Sequence, residues 1–543
     1  MGLVNQPSPE RLPITLQKRG ERFATYLENH AEDRQLWLLA CFSVLYLVAT
    51  LVLARRRLLW NDELYTFYIT RLPTLRDVWG ALSTGTEQLP PFFYVVSRGF
   101  FALFGANQVS VRLPEVLAFW VMCLSVFRFV ARRSSTLCGL VATLFPLVTP
   151  AYYYAYEGRP YGLLLGSSAF SLMSWQSVTL NERRGLWLLS LTVGLAATVS
   201  FHYYGVLILF PLVLGELFRS VTLKRIDIPV WVTFALGMSP LLLFLPLIHQ
   251  ALTQSGSFWS RAHWGAIPTF YSDLLGPAVV PIIAALVAWS AYPASRLSGA
   301  SSTREPFVAR LPGFELAAAF GFILIPVLAV ILGKLVTGAF TSRYALPAII
   351  GFSILIAFSA FRLWRSSEPM MVILVLCFCA AFASKVAKTW KDLGWDIAKE
   401  QDAESFLQSH TGEALPIVVS DAHLFSLLGH YAPPDLAQRL VYLADPGASR
   451  RYLGFDSQEQ GMVHLLQPWF HWRVEDYEPY IASHQRFLVY GPVGTGGASI
   501  TNSGYFLNWV LSDLVARHMQ VELKARNEEI LLFLISPNQP DSR

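Results

Sequence analysis

Long apolar segments alternate with short polar loops from residue 36 to residue 386. A helix needs about 20 mostly apolar residues to cross the hydrocarbon core of a bilayer. Eleven segments approach this length, and they cover residues 36–54, 109–130, 136–154, 160–179, 186–201, 203–219, 229–248, 275–292, 314–335, 344–362 and 369–386. The pattern therefore predicts an α-helical polytopic membrane protein with eleven transmembrane helices.

The loops between these segments carry unequal amounts of positive charge. Arginine or lysine occurs in every second loop, in the stretches 132–133, 182–184, 219–227, 296–310 and 362–365. Cytoplasmic loops carry an excess of these residues. Residues 1–35 are therefore predicted to form a cytoplasmic leader, in a multi-pass protein of the plasma (inner) membrane. The exception is the outward run 55–57, which holds either a phosphate or anionic lipid, or makes ordinary head-group contacts.

The segment 90–104 is apolar and aromatic but too short to span a bilayer. Counting it as a span would also place the basic pair 132–133 outside. We therefore expect it to lie along the outer interface as an amphipathic segment. It then belongs to a long first outer loop, residues 55–108, within a transmembrane domain that covers residues 36–387.

The composition changes after residue 387, where the chain becomes polar and mixed. Short apolar strands are predicted to alternate with helices, which indicates a small α/β domain over residues 388–543. The strands are expected at 416–420, 439–443, 486–490 and 529–535, and the helices at 402–410, 422–431 and 505–517. Because the number of predicted spans is odd, this domain is expected on the outer face.

The composition excludes several classes of protein. Of the 543 residues, 54% are hydrophobic and 15% are charged, against about 25% charged in soluble domains. The net charge of +5 is modest and lies in short loops, which favours membrane orientation over binding to nucleic acid. The five cysteines lie in or beside apolar segments and show no zinc-binding spacing.

No charged residue lies in the middle of a predicted span. Pumps and ion-coupled transporters usually need ionisable groups there, so this class is disfavoured. The charged and histidine residues collect instead at the outer ends of the spans, namely Asp62, Glu63, Arg112, Glu115, Glu157, Arg159, His202, His249, Lys334 and Arg343. This distribution predicts a site at the outer membrane surface.

Four motifs then appear in a particular order. They are Leu59-Trp60-Asn61-Asp62-Glu63; Leu89-Pro90-Pro91-Phe92-Phe93-Tyr94, followed by Phe104-Gly105 and Val111-Arg112-Leu113-Pro114; Ala155-Tyr156-Glu157-Gly158-Arg159-Pro160-Tyr161; and Ser342-Arg343-Tyr344-Ala345-Leu346-Pro347. In these motifs the chain resembles the GT-C glycosyltransferases, within the group that includes family 39 and the aminoarabinose transferases. The resemblance covers residues 36–362 and implies a donor in which a sugar is linked to a polyprenyl phosphate.

The resemblance also implies roles for individual residues. Asp62 is expected to act as the base that takes the acceptor proton. Glu63 either orients the acceptor or a metal, or is a charge at a helix N-terminus. Glu157 is either a second acidic group of the active site, paired with Arg159 or a divalent metal, or part of a plain salt bridge.

The leaving phosphate needs positive charge. Arg343 is the first candidate, and its alternative role is that of an interface anchor. The wider candidate sets are Arg159, Lys334 and Tyr344 for the donor phosphate, and Tyr161, Glu87 and Arg112 for the substrate. Whether a divalent metal takes part is left open.

The sequence thus indicates a membrane glycosyltransferase that acts at the outer face, with inversion at the sugar. Its acceptor is a lipid, a glycan or a protein. The alternative is a non-enzymatic polytopic protein that binds or translocates lipid-linked glycans. Loss of Asp62 separates the two, because it abolishes transfer in an enzyme and leaves binding intact in the alternative.

Overall fold

The computed structural model describes Tyr26 and residues 29–253, 258–291, 311–363, 368–412, 414–492, 508–527 and 530–537. Most of the predicted leader and the whole predicted inner loop 296–310 lie outside these residues.

Helices make up the described part of the chain up to residue 410. They are α1 (Gln35–Arg56), α2 (Asn61–Arg71), α3 (Leu75–Leu82), α4 (Pro91–Phe104), α5 (Leu113–Ala131), α6 (Thr136–Val148), α7 (Tyr161–Thr179), α8 (Arg184–Phe201), α9 (Leu209–Leu223), α10 (Ile228–Met238), α11 (Pro240–Thr253), α12 (Ala266–Ala291), α13 (Gly313–Ile323), α14 (Ile325–Leu332), α15 (Ala348–Leu363) and α16 (Glu368–His410). Short 3-10 or π segments include Pro150–Ala155, Tyr203–Ile208, Gly333–Thr337 and Ser342–Ala345.

Apolar helices lie in most of the predicted membrane spans. Within the described residues, seven helical segments are long and apolar enough to cross a bilayer, and an eighth is formed if α13 and the segment after it count as one span bent by 47°. The apolar helices α4, α6 and α15 are shorter. The chain is therefore a multi-pass membrane protein, and the figure of eleven spans stays a prediction.

Large apolar side chains cover the outside of this helical domain. Leu45, Leu243 and Val280 are 67%, 71% and 72% exposed. Side chains of this kind are stable at such positions when lipid tails surround them. The exposed surface of the helices therefore fits contact with a bilayer.

The predicted inner loops meet at one end of the helices. Arg132 pairs with Glu182 at 2.6 Å, and Arg184 and Arg219 share the Asp227 carboxylate. These contacts place three of the basic loops at the same end, as the charge pattern requires.

Two parallel helices bring the functional motifs together at the opposite end. Helices α5 and α7 pack closely, since a side chain at Gly166 would clash with the carbonyl group of Ala118. The motif containing Arg112 immediately precedes α5, and the motif containing Glu157 and Arg159 precedes α7. Both motifs therefore lie at the same end of the domain.

Helix α16 leaves the helical domain without a break. It contains 43 residues and is about 65 Å long at 1.5 Å per residue, which is about twice the thickness of the hydrocarbon core. The predicted domain boundary at residue 387 lies inside it. The division into domains stays a prediction, and the two parts share one continuous helix.

The C-terminal domain contains a sheet, as predicted, but the sheet has six strands where four were predicted. Its strands are β1 (Ile417–Val419), β2 (Leu440–Ala444), β3 (Val474–Asp476), β4 (Phe487–Pro492), β5 (Gln520–Asn527) and β6 (Ile530–Ser536), in the order β3-β2-β1-β4-β6-β5. The first four are parallel, and β5 and β6 are antiparallel to their neighbours. The helices are α17 (Ala422–Tyr431), α18 (Pro434–Ala437), α19 (Pro446–Leu453), α20 (Ser457–Gly461), α21 (Tyr477–Ser483) and α22 (Trp509–Ala516), with a π segment at Met462–Phe470.

This domain packs directly on α2. The Ser426 hydroxyl donates to Asn61 Oδ1 at 2.7 Å, and the Tyr431 hydroxyl accepts a hydrogen bond from the backbone N–H of Leu59 at 2.7 Å. The C-terminal domain therefore lies on the same side as the Asp62 motif.

Candidate active site

A cavity of about 360 Å³ lies between the helical domain and the C-terminal domain. This volume is within the usual range for ligand pockets. Of the residues predicted for the site, Asp62, Glu87, Arg159, Tyr161, Arg343 and Tyr344 line it.

Asp62 and Arg343 form an ion pair on the cavity wall. Asp62 lies in the first turn of α2, and its Oδ2 atom is 2.7 Å from Arg343 Nη1. The two side chains are 18% and 16% exposed, so both can reach a ligand. Burial would raise the pKa of Asp62, but the positive charges of Arg343 and Arg159 outweigh burial and hold this pKa below its usual value. Asp62 is therefore a carboxylate at neutral pH.

Arg159 lies beside this pair and binds Glu87. The two guanidinium nitrogens meet the two carboxylate oxygens at 2.9 and 3.0 Å, and Arg159 Nη1 also donates to the Asp62 carbonyl at 3.2 Å. The expected pairing of Arg159 with Glu157 is wrong. Glu87 lines the cavity and Glu157 does not, so Glu87 is the carboxylate that pairs with Arg159 on the cavity wall.

Glu157 supports an aromatic side chain of the cavity. Its Oε1 atom accepts a hydrogen bond from Trp60 Nε1 at 3.0 Å, while Arg57 is 3.9 Å away. The other oxygen, Oε2, finds no hydrogen-bond partner among the described residues. Burial, opposed by Arg57 and reinforced by the charge of Glu63, raises the pKa of Glu157 to about 7. Trp60 lines the cavity, so its hydrogen bond to Glu157 helps to orient an indole ring of the cavity wall.

Glu63 and Arg112 form a buried pair away from the cavity. Both side chains are fully buried, with Arg112 Nε and Nη2 at 2.7 and 2.6 Å from the two carboxylate oxygens. Glu63 also accepts the Gly158 N–H, and Arg112 donates to the carbonyl groups of Ala54, Arg57 and Leu58. The pair fixes the start of α2 between α1, α5 and α7.

Arg57 belongs to the same buried cluster. It was predicted to face outward toward a phosphate, an anionic lipid or a head group. Its guanidinium group instead stacks over the Tyr153 ring at 4.3 Å and lies 3.9 Å from Glu63. Only 8% of its side chain is exposed, so the expected contact with lipid is wrong for Arg57.

An aromatic wall surrounds the Asp62–Arg343 pair. Arg343 lies over the ring of Tyr161 at 5.6 Å, and the rings of Tyr344 and Tyr204 are 4.5 Å apart. His202 packs against Tyr161 and Tyr344. Burial and the charges of Arg159 and Arg343 lower the pKa of His202 to about 3, so this imidazole is neutral.

The chain is similar to known proteins in part of its sequence and in its fold. The family model of dolichyl-phosphate-mannose-protein mannosyltransferases matches residues 88–249. The crystal structure of ArnT from Cupriavidus metallidurans in the apo state aligns with a TM-score of 0.54 and 14% identity, over 92% of this chain and 97% of ArnT. The structure of the same protein bound to undecaprenyl phosphate aligns over equal shares, with a TM-score of 0.52 and 14% identity. No curated protein matches the sequence significantly.

The chain has the GT-C glycosyltransferase fold. The resemblance drawn from the four sequence motifs is confirmed. Together with the sheet domain after residue 410, the fold class is as predicted.

Lys334, which was predicted to bind the donor phosphate, lies away from the cavity. Lys334 is exposed, lies over the ring of Trp264 at 5.3 Å, and does not line the cavity. In the part of the chain that the structure describes, no group of three or more histidine, cysteine or acidic side chains is arranged to hold a metal ion. A role for a divalent metal therefore stays open.

One wall of the cavity was not predicted from the sequence. This wall comes from the C-terminal domain and consists of His423, Ser457, Gln458, Gln460 and Gly461. These residues form no recognisable motif and carry no fixed charge. Only the packing of this domain on α2 reveals them.

Proposed function

We propose that this protein is a membrane glycosyltransferase that moves a sugar from a polyprenyl-phosphate donor to an acceptor hydroxyl. The observation that carries the proposal is the Asp62–Arg343 pair, 2.7 Å apart on the wall of a cavity. It places a base and a phosphate-binding cation side by side, as transfer from a sugar phosphate requires. The family match to mannosyltransferases and the fold shared with an undecaprenyl-phosphate-binding protein support the same class of donor.

The proposed reaction is a direct displacement. The acceptor oxygen attacks the anomeric carbon and forms the new glycosidic bond, while the bond from that carbon to the phosphate oxygen breaks. The acceptor proton passes to Asp62, and the electron pair leaves with the polyprenyl phosphate. One displacement inverts the configuration of the sugar.

Arg343 is assigned to the departing phosphate. A charge-assisted hydrogen bond to phosphate is stronger than a neutral one, and Arg343 reaches the cavity from the segment Ser342–Ala345. Arg159 adds positive charge beside it, and Tyr344 and Tyr161 complete this wall.

The buried residues are assigned supporting roles. Glu63 and Arg112 hold the first turn of α2, and with it Asp62, in place. Glu157 orients Trp60 through the indole N–H. Lys334 lies outside the cavity, so we assign it no contact with the donor.

The site is proposed to face away from the cytoplasm. The basic loops at one end of the helices, among them Arg132 and Arg184, favour an inward position for that end. The Asp62 end and the domain over residues 388–543 then lie outside the plasma (inner) membrane, and residues 1–35 inside. The acceptor hydroxyl belongs to a lipid, a glycan or a protein.

Transfer from a purified polyprenyl-phosphate sugar tests the proposal in membranes that supply the natural acceptor. Asp62→Asn keeps the side-chain shape but is a much weaker base, so transfer should fall by about 10²–10⁴-fold. Binding of undecaprenyl phosphate should remain. The exposed Asp435 offers a matched control, and Asp435→Asn should transfer normally.

The non-enzymatic alternative gives a different result. A protein that only binds or translocates lipid-linked glycans shows no transfer in the wild type, and Asp62→Asn leaves its translocation unchanged. Absence of transfer in the wild type, or normal transfer in Asp62→Asn, would refute the proposal.

A further inference from the structure

The carboxyl ends of the parallel strands β1 and β2 face the cavity. In open α/β sheets, ligands bind outside the carboxyl ends of the parallel strands. His423 lies in the first turn of α17, directly after β1. Helix α20 lies at the carboxyl end of β2, because Glu459 accepts the backbone N–H of Asp445, the residue after that strand, at 3.2 Å. The binding edge of the C-terminal domain therefore closes the cavity that contains Asp62.

Three side chains on this wall are neutral groups that both donate and accept hydrogen bonds. Gln458 and Gln460 present carboxamides, and Ser457 presents a hydroxyl. No lysine, arginine or carboxylate belongs to the described lining of this wall. Sugar hydroxyls have the same dual character, whereas an anionic group would call for guanidinium or ammonium partners.

Buried polar atoms around the cavity lack partners in the described structure. They are Ser457 Oγ on the C-terminal wall, and Tyr203 Oη and Thr341 Oγ1 on the helical wall. A buried polar atom without a hydrogen-bond partner is energetically unfavourable. A ligand with several hydroxyl groups would satisfy such atoms from both walls at once.

An aromatic pair joins the two walls next to Asp62. The rings of Trp60 and His423 are 13° from parallel with centroids 6.4 Å apart, and Glu157 fixes the indole. His423 and Asp62 both line the cavity, so this aromatic pair lies on the same cavity surface as Asp62. Flat aromatic faces beside polar groups suit the apolar face of a sugar ring.

We infer that the wall formed by His423, Ser457, Gln458, Gln460 and Gly461 is the acceptor subsite, and that the acceptor presents a neutral saccharide unit there. The inference rests on the proposed function, because it assigns the second substrate of that reaction. The cationic wall around Arg343 takes the donor, and the neutral wall takes the sugar that receives the transferred unit.

Saturation-transfer NMR on the full-length protein in nanodiscs tests the subsite. The probes are the methyl pyranosides of glucose, galactose and mannose, with methyl glucuronide and glucose 6-phosphate as charged counterparts. At least one neutral glycoside should bind, and it should bind more strongly than both charged probes. Gln458→Ala/Gln460→Ala should weaken this binding about tenfold, since two neutral hydrogen bonds are lost. The exposed glutamines of the control Gln408→Ala/Gln438→Ala should have no effect.

Three results would overturn the inference: no binding of any neutral glycoside to the wild type, unchanged binding in the Gln458/Gln460 variant, or stronger binding of a charged probe. Unchanged binding would mean that the sugar occupies the donor side or another surface. Undecaprenyl phosphate binding is measured on the same samples. Its failure in the wild type counts against the proposed function, whereas a normal value with unchanged glycoside binding in the variant counts against the subsite alone.

Discussion

Asp62 and Arg343 are 281 positions apart in the chain, and their side chains meet at 2.7 Å. Each is assigned a different substrate, the acceptor proton for Asp62 and the donor phosphate for Arg343. While paired they restrain each other, because the guanidinium group lowers the basicity of the carboxylate. A donor phosphate that draws Arg343 toward itself leaves Asp62 a stronger base. In the proposed reaction, donor binding would thus make Asp62 a stronger base for the acceptor proton.

Arg343→Ala should weaken both donor binding and turnover. It removes a charge that holds the phosphate in the ground state and also in the transition state. A charged hydrogen bond contributes about 1.5–3 kcal/mol, so affinity for undecaprenyl phosphate should fall roughly 10- to 100-fold. Lys334→Ala is the contrast, since Lys334 does not line the cavity. Normal binding in Arg343→Ala, or a large loss in Lys334→Ala, would reverse the two assignments.

The acidic limb of the pH–rate profile should report Asp62. Its pKa lies below the usual value, so the basic carboxylate persists to low pH and kcat/KM falls only when the pH drops through that lowered pKa. Removing Arg343 raises the pKa, and the acidic limb of Arg343→Ala should therefore move to higher pH. An acidic limb at the same pH in both proteins would assign it to another group.

Glu157→Gln should stabilise the protein increasingly as the pH rises. Burial raises the pKa of Glu157 from its ordinary value to about 7, so the folded state becomes less stable as the pH rises from about 4.5 through 7. Glutamine stays neutral and can still accept the Trp60 N–H. The difference in thermal midpoint between the variant and the wild type should thus be larger at pH 8 than at pH 5. An equal difference in thermal midpoint at pH 5 and pH 8 would show that ionisation of Glu157 does not destabilise the folded state.

Arg112→Ala should prevent stable folding. It leaves Glu63 buried and unpaired, and breaking a buried pair costs about 3–5 kcal/mol. The control is Arg473→Ala, because Arg473 and Glu475 form an exposed pair with little effect on stability. Size-exclusion chromatography and thermal unfolding give the measurement. A monodisperse Arg112→Ala protein with normal thermal stability would contradict the structural role of this pair.

Charged residues of the cavity that lie at the ends of helices could be predicted from the sequence, but the residues with which they form ion pairs could not. Asp62, Arg159 and Arg343 all follow or precede long apolar segments, so charge placement alone pointed to them. The partner of Arg159 is Glu87, 72 positions away in the loop before α4, and no local pattern distinguishes it from Glu157. Pairing of this kind depends on how helices pack.

Strands were predicted where apolar residues form a run. β1, β2, β4 and β6 are largely buried and were expected within one or two residues of their bounds. β5 was not expected, because it is an edge strand with a largely exposed, polar sequence. β3 has only three residues, which is too short for any periodicity.

The continuous helix α16 connects the membrane domain to the C-terminal wall of the cavity. The thickness of the bilayer is therefore expected to affect the position of that wall. A spanning helix tilts when the thickness of the surrounding bilayer changes. Helix α16 runs without a break from the apolar helices into the C-terminal domain. A tilt of its apolar first half therefore also changes the direction of its polar second half. Lys385, near the middle of α16, donates a hydrogen bond to the Thr149 carbonyl of the helical domain. A change in bilayer thickness is therefore expected to load the contacts of Ser426 and Tyr431 with Asn61 and Leu59, which hold the C-terminal domain beside Asp62.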